Sequence, residues 1–113
     1  MAMTYKRLGA LASTGTITTV DTLYTASATA GTSTVVSTIA ICNTAATSAT
    51  YRICVNTSAA FTAAGYLVYG ATVAANDTVL LTIGGTLDPT NRYLLCSASA
   101  STVSFSAFGV ENS

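Results

Sequence analysis

Charge is scarce in this sequence of 113 residues. Four basic and four acidic residues make up 7% of the chain, and the formal net charge is zero. An ordinary soluble domain is about 25% charged, and a free monomer with so few charges has little to keep it soluble. The composition therefore predicts that partner subunits cover much of the surface, with a solvated Thr/Ser surface as the alternative.

Histidine is absent altogether, which excludes a Ser–His or Cys–His nucleophilic pair. The four carboxylates, Asp21, Asp77, Asp88 and Glu111, are spread along the chain, and nothing favours the close pairing that glycoside hydrolysis needs. Asp77 and Asp88 stand among turn residues, where Asp side chains accept hydrogen bonds from the backbone, and Asn76, in the tight turn AAND (74–77), tolerates left-handed geometry. We therefore expect no catalytic residues and no enzyme.

Metal-ligand spacing is also lacking. The three cysteines, Cys42, Cys54 and Cys96, form no CxxC pair, and the spacing does not support a zinc site. We expect buried free thiols that act as small apolar side chains, although a Cys42–Cys54 bridge is the alternative. Neither a metal nor a cofactor is predicted.

No apolar run approaches the ~20 residues that a membrane-spanning helix needs, and the LGALA stretch near the N-terminus is shorter than the central region of a signal peptide. Lys6 and Arg7 are an isolated basic pair, and zero net charge argues against phosphate binding. We expect a chain made in the cytosol, with neither membrane nor nucleic acid as a partner.

Short runs rich in Thr, Val, Ile and Tyr alternate with turn-rich segments, which is typical of β-strands. The predicted strands span residues 16–25, 34–43, 50–56, 66–73, 78–83, 92–99 and 102–110. This spacing predicts an all-β fold, a single antiparallel β-sandwich of jelly-roll type with about seven to eight strands. Residues 15–113 would form the sandwich. Residues 1–14, with poor strand character, would be an N-terminal arm that reaches a neighbour, or a tail.

The stretch STVVSTIAICNTAATSATYRICVN (33–56) predicts a hairpin of strands 34–43 and 50–56. Tyr51 and Ile53 alternate with Arg52, which places the first two in the core and Arg52 towards solvent or a partner.

Tyr66 and Tyr69 differ in parity along their strand, so they are expected on opposite faces. Tyr69 is a candidate partner contact because Tyr is enriched at interfaces. No cluster suited to stacking on carbohydrate is expected.

Several segments are similar in combination to a known family. They are TLYT (22–25), AGTSTVVSTIAICN (30–43), TYRICV (50–55), YLVYGATVAANDTVLLTIGGTL (66–87) and STVSFSAFGVE (101–111). Together they resemble a small structural protein of tailed bacteriophages that is common in cyanophages and other aquatic phages. The resemblance covers nearly everything after residue 21, although the family has apolar or small residues where this chain has cysteines.

The resemblance implies a non-catalytic virion component that is assembled in the host cytoplasm. We expect a capsid decoration, or cement, protein that bridges major capsid subunits. It would form a homo-oligomer, with a trimer favoured. A tail, neck or baseplate-fibre module is the alternative, and a glycan- or receptor-binding module is a more remote one. The candidate partner contacts are Lys6, Arg7, Arg52 and Tyr69.

Overall fold

Two four-stranded antiparallel sheets make up the structure, a computed structural model that describes residues 3–112. The predicted all-β sandwich is therefore confirmed. The described range contains eight strands and one short 3-10 helix. In chain order they are β1 (Met3–Ala12), β2 (Asp21–Thr25), β3 (Ser33–Asn43), β4 (Ala49–Asn56), the 3-10 helix (Ala63–Gly65), β5 (Tyr66–Val73), β6 (Thr78–Leu87), β7 (Tyr93–Ala98) and β8 (Val103–Asn112).

The strands pair in a nested order. Sheet A has the order β1-β8-β3-β6, and sheet B has the order β2-β7-β4-β5. Thus β4 pairs with β5, β3 with β6, β2 with β7 and β1 with β8, which is the strand order of a jelly roll. Because β1 packs on β2 and β3 packs on β5, β1 and β2 border one side of the sandwich, and β5 and β6 border the other.

The core lies between the two sheets and is built from alternate residues of their strands. Ile39, Ile53 and Phe105 are completely buried, and the ring of Tyr51 meets that of Phe105 edge-on with centroids 6.4 Å apart. Each buried side chain of this size stabilises the fold by roughly 1.5–3 kcal/mol. The predicted alternation in β4 is confirmed, since Arg52 lies on the opposite face from Tyr51 and Ile53.

The predicted hairpin of β3 and β4 is wrong, because the two strands belong to different sheets. The chain crosses between the sheets after Asn43, whose buried side chain fixes the corner. Its amide group donates to the carbonyl oxygens of Thr47 (2.8 Å) and Ala74 (3.3 Å). Its oxygen accepts from the Ala45 amide and the Thr102 hydroxyl, each at 3.1 Å. An apolar alternation specifies which face is buried but not which strand lies alongside.

The N-terminal segment also differs from expectation, because residues 3–12 form β1 and pair with β8. Leu8 is the buried residue of this strand, while most of the others are exposed, so an edge strand of this kind carries little alternation. Residues 16–20 precede β2, with a turn in which the Thr19 amide donates to the Thr16 carbonyl. Residues 1, 2 and 113, which belong to the predicted arm and sandwich, lie outside the described range.

The predictions for two turns and for free thiols are confirmed. Asn76 adopts a left-handed φ of 54° in the turn between β5 and β6. The Asp88 carboxylate accepts hydrogen bonds from the Thr90 and Asn91 amides at 2.8 and 2.7 Å, and these bonds lower its pKa. The three cysteines are free thiols, two of them buried and Cys42 half-buried.

Candidate interaction surfaces

The outer face of sheet A is exposed and almost without charge. Strand register aligns its side chains in rows across the four strands. One row is Arg7, Phe108, Thr38 and Thr82, and the next is Tyr5, Val110, Val35 and Thr86. Tyr5 is 77% exposed and Leu80 68% exposed. Within these rows Arg7 is the charged side chain.

Bulges decide which residues reach this face. The register of β3 shifts between Val36 and Thr38 against both of its neighbours, so Val35 and Thr38, three residues apart, both face outwards, while Val36 is buried. Beside the bulge, a shallow depression of about 530 Å³ opens between Tyr5, Arg7, Ser37 and Phe108. An apolar side chain of a partner could seat here.

Lys6 and Arg7 are adjacent in sequence but lie in different surroundings. The Lys6 ammonium lies 3.0 Å from a carboxylate oxygen of Glu111, and the Tyr24 hydroxyl donates to the other oxygen of Glu111. The Tyr24 hydrogen bond and Lys6 together hold the pKa of Glu111 below its ordinary value. Arg7 faces outwards beside Phe108. Of the two predicted contacts, Arg7 is thus the one on the outer face, whereas Lys6 is engaged within the domain.

Arg52 and Tyr69 come together on the outer face of sheet B. The guanidinium carbon of Arg52, on β4, lies 4.4 Å from the centroid of the Tyr69 ring, on β5. A guanidinium nitrogen also donates to the Tyr69 hydroxyl at 3.3 Å. This pair lies on the other sheet and at the opposite edge from Arg7. The four predicted contact residues therefore do not form one surface.

Tyr66 and Tyr69 point to the same side, so the expectation of opposite faces is wrong. The register of β5 against β4 shifts twice, which leaves Leu67 and Gly70 without partners in the ladder. Gly70 has a φ of 72°, a left-handed conformation that glycine adopts without strain. The first irregularity, at Leu67, returns Tyr69 to the face on which Tyr66 lies, and the second, at Gly70, returns Ala71 to the core face.

An aromatic cluster results, which the sequence reasoning missed. The rings of Tyr66 and Tyr69 meet edge-on at 4.8 Å, and Phe61, from the β4–β5 loop, lies 5.4 Å from Tyr66. With Thr62 and Ala63 these rings line an open concavity of about 430 Å³. We call Arg52, Phe61, Tyr66 and Tyr69 the aromatic shelf.

Comparison with known proteins does not identify the chain. No protein-family model matches it, and no curated protein matches it. Within residues 3–112, no group of three or more His, Cys, Asp or Glu side chains is placed to hold a metal ion. In the same range no helix has the length and apolar character to cross a membrane.

Proposed function

We propose that this chain is a structural protein of a tailed-phage virion, and that it acts as a capsid decoration protein that bridges and stabilises major capsid subunits. The observation that carries the proposal is the exposed, nearly uncharged outer face of sheet A. The resemblance of the strand segments to a phage virion family supports it. So does the jelly-roll order, an architecture that occurs among viral capsid proteins.

The chemistry of this face suits a protein contact. Tyr5 and Phe108 are exposed aromatic side chains next to a depression, and aromatic anchors that fill pockets dominate many interfaces. Thr and Val fill the remaining positions of the two central rows, so docking a partner there removes few charges from water. Arg7 would pair with a carboxylate of the partner at the rim of the contact.

The size of the face predicts a contact of modest strength. Four strands spaced about 4.8 Å apart, each about ten residues long, span roughly 15 by 30 Å. This area is on the order of 500 Å², while each partner of a standard interface contributes roughly 800 Å². One such contact is weak alone. A homo-oligomer, for which we propose a trimer, would present several faces at once and bind by avidity.

A tail, neck or baseplate-fibre module built from the same sandwich is the alternative. The experiment is quantitative mass spectrometry of purified particles of the encoding phage, counting this chain against the major capsid protein. A copy number comparable with that of the major capsid protein supports the decoration role. A small fraction of that number supports the alternative, and absence from the particle overturns both proposals.

A further inference from the structure

We propose that the aromatic shelf is a binding site for an acidic carbohydrate. The Tyr69 ring would stack on the apolar C–H face of a sugar ring, with the Tyr66 ring, at 81° to it, as a side wall, and the Arg52 guanidinium would pair with the carboxylate of a uronic- or sialic-acid-type unit. This inference goes beyond the proposed virion role and does not depend on it.

The shape and exposure of the shelf fit such a ligand. Its concavity of about 430 Å³ lies within the range of roughly 300–1,000 Å³ found for small-molecule sites. Tyr69 is 66% exposed, so much of this side chain is in water. Tyr combines an apolar ring with a polar hydroxyl, which matches a sugar ring with its apolar face and hydroxyl rim. Thr62 adds a further hydroxyl at the wall of the concavity.

The backbone is shaped to bring the rings together. In a regular strand, residues three apart point to opposite faces. One bulge, at Leu67, cancels that alternation between Tyr66 and Tyr69, and bulges that re-aim side chains are enriched at sheet edges and next to functional sites.

The loop that supplies Phe61 is held in place before any ligand arrives. The side-chain amide of Asn56 donates to the Ala60 carbonyl at 2.7 Å. A β-carbon on Gly65 would overlap the carbonyl oxygen of Val55, so this end of the loop lies directly against β4. A site that is already ordered loses less conformational entropy when it binds.

The charge of Arg52 selects an acidic ligand. The ion pair found within residues 3–112 joins Lys6 and Glu111, and the hydrogen bond found for Arg52 goes to the neutral Tyr69 hydroxyl. The Arg52 Nε is shielded from solvent and has no acceptor in the described structure, so a ligand carboxylate would meet the terminal guanidinium nitrogens. A guanidinium with unused donors binds a carboxylate by charge-assisted, often bidentate hydrogen bonds.

Stacking on aromatic rings also serves single-stranded nucleic acid, but that mode needs a groove of positive charge along the backbone. Here Arg52 is the cation of the shelf, and Lys6 and Arg7 belong to the other sheet. The net charge of the chain is zero. A short acidic saccharide, which presents one carboxylate per ring, fits a single guanidinium better than a polyphosphate does.

The test is ligand-observed saturation-transfer NMR and titration calorimetry on the purified full chain. The acidic probes are oligogalacturonate, alginate oligomers and sialyllactose, and the neutral counterparts are galactan oligomers and lactose. We expect saturable, millimolar or tighter binding of at least one acidic probe, in preference to its neutral counterpart. The Tyr69→Ala variant should lose about tenfold or more in affinity for that probe. The Arg52→Gln variant should lose the preference for the acidic over the neutral sugar.

Tyr5→Ala is the matched control, because it removes an equally exposed tyrosine from the other sheet and should bind as the unmodified chain does. Thermal melts establish whether each variant folds. If Arg52→Gln does not fold, Tyr69→Ala alone tests the proposal. Absence of saturable binding to every acidic probe overturns the proposal. So does undiminished binding by folded Tyr69→Ala. A shelf variant that changes the oligomeric mass while no sugar binds would mark a protein contact and would also overturn it.

Discussion

The hydroxyl of Tyr24, on sheet B, donates a hydrogen bond to the carboxylate of Glu111, on sheet A. Thr34, on β3, and Lys6, on β1, complete the group, with the Tyr24 and Thr34 hydroxyl oxygens 3.1 Å apart. Four strands from both sheets thus meet through polar side chains at one end of the sandwich. We expect this group to make the stability of the protein depend on pH.

The Glu111 carboxyl should stabilise the fold at neutral pH and lose that effect in acid. Its pKa is lowered in the folded state, so the unfolded chain takes up a proton more readily, and stability falls as pH drops below the ordinary value of 4.5. We expect Glu111→Gln to cost about 1 kcal/mol or less at neutral pH, because its surroundings are partly exposed to solvent. Urea unfolding at about pH 7 and at about pH 3 measures this.

The difference in the free energy of unfolding between Glu111→Gln and the unmodified chain should narrow at the lower pH, because the unfolded chain then takes up a proton at Glu111 and part of the stabilisation is lost. Tyr24→Phe removes the donor and serves as the companion variant. A gap of equal size at both pH values would contradict this prediction.

Gly109→Ala should destabilise the sandwich severely. A β-carbon there would overlap the carbonyl oxygen of Val35 and touch a methyl group of Leu8, and backbone atoms within a paired sheet cannot move aside cheaply. We expect a loss of more than about 2 kcal/mol in the free energy of unfolding. Gly85→Ala is the matched control, because its β-carbon would meet the Ile83 methyl at 3.2 Å. Equal melting temperatures for the two variants would show that β3 and β8 are not so close.

The three thiols should react at very different rates in the folded chain. Cys54 and Cys96 are completely buried, and burial, with the nearby Asp21 charge second, raises the pKa of Cys96. Since the thiolate is the reactive form, we expect an aromatic disulfide reagent to label Cys42 first and the other two only after unfolding. Mass spectrometry of labelled peptides identifies the sites. Rapid labelling of Cys96 in the native chain would disagree with the core described here.

A reducing agent should leave the melting temperature unchanged, because the three cysteines are free. Differential scanning calorimetry with and without reductant measures this. A drop of several degrees with reductant would reveal a disulfide, since such a bond is worth about 2–4 kcal/mol.

Substitutions on the outer face of sheet A should weaken assembly without unfolding the chain. Tyr5→Ala and Phe108→Ser remove exposed aromatic side chains, so stability should change by roughly 0.5 kcal/mol or less for Tyr5→Ala. We expect fewer copies retained on washed particles, with the oligomeric mass in sedimentation analysis unchanged. Tyr69→Ala, on the other sheet, is the matched control. If it weakens assembly as much as Tyr5→Ala does, the assembly surface has been placed on the wrong sheet.

The sequence by itself determined the fold class and several local features. The strand predicted for residues 66–73 has the bounds of β5, and the alternation of Tyr51 with Arg52 gave the right buried face. The left-handed turn at Asn76 followed from the local chemistry of its side chain. These features depend on burial and on backbone preferences within a few residues, which a single segment carries.

Tertiary structure alone decided which strands pair and which side chains meet. β3 pairs with β6 and β8 rather than with β4. The strands pair in a nested order around the β4–β5 connection, and that order depends on the whole chain. The sequence did not predict β1, because most of its side chains are exposed and show little alternation. Its pairing with β8 makes it a strand. The aromatic shelf depends on the shift of register against β4 at Leu67. A strand's own sequence sets the alternation of its side chains between the two faces. Only the neighbouring strand in the sheet fixes the residues at which that alternation shifts.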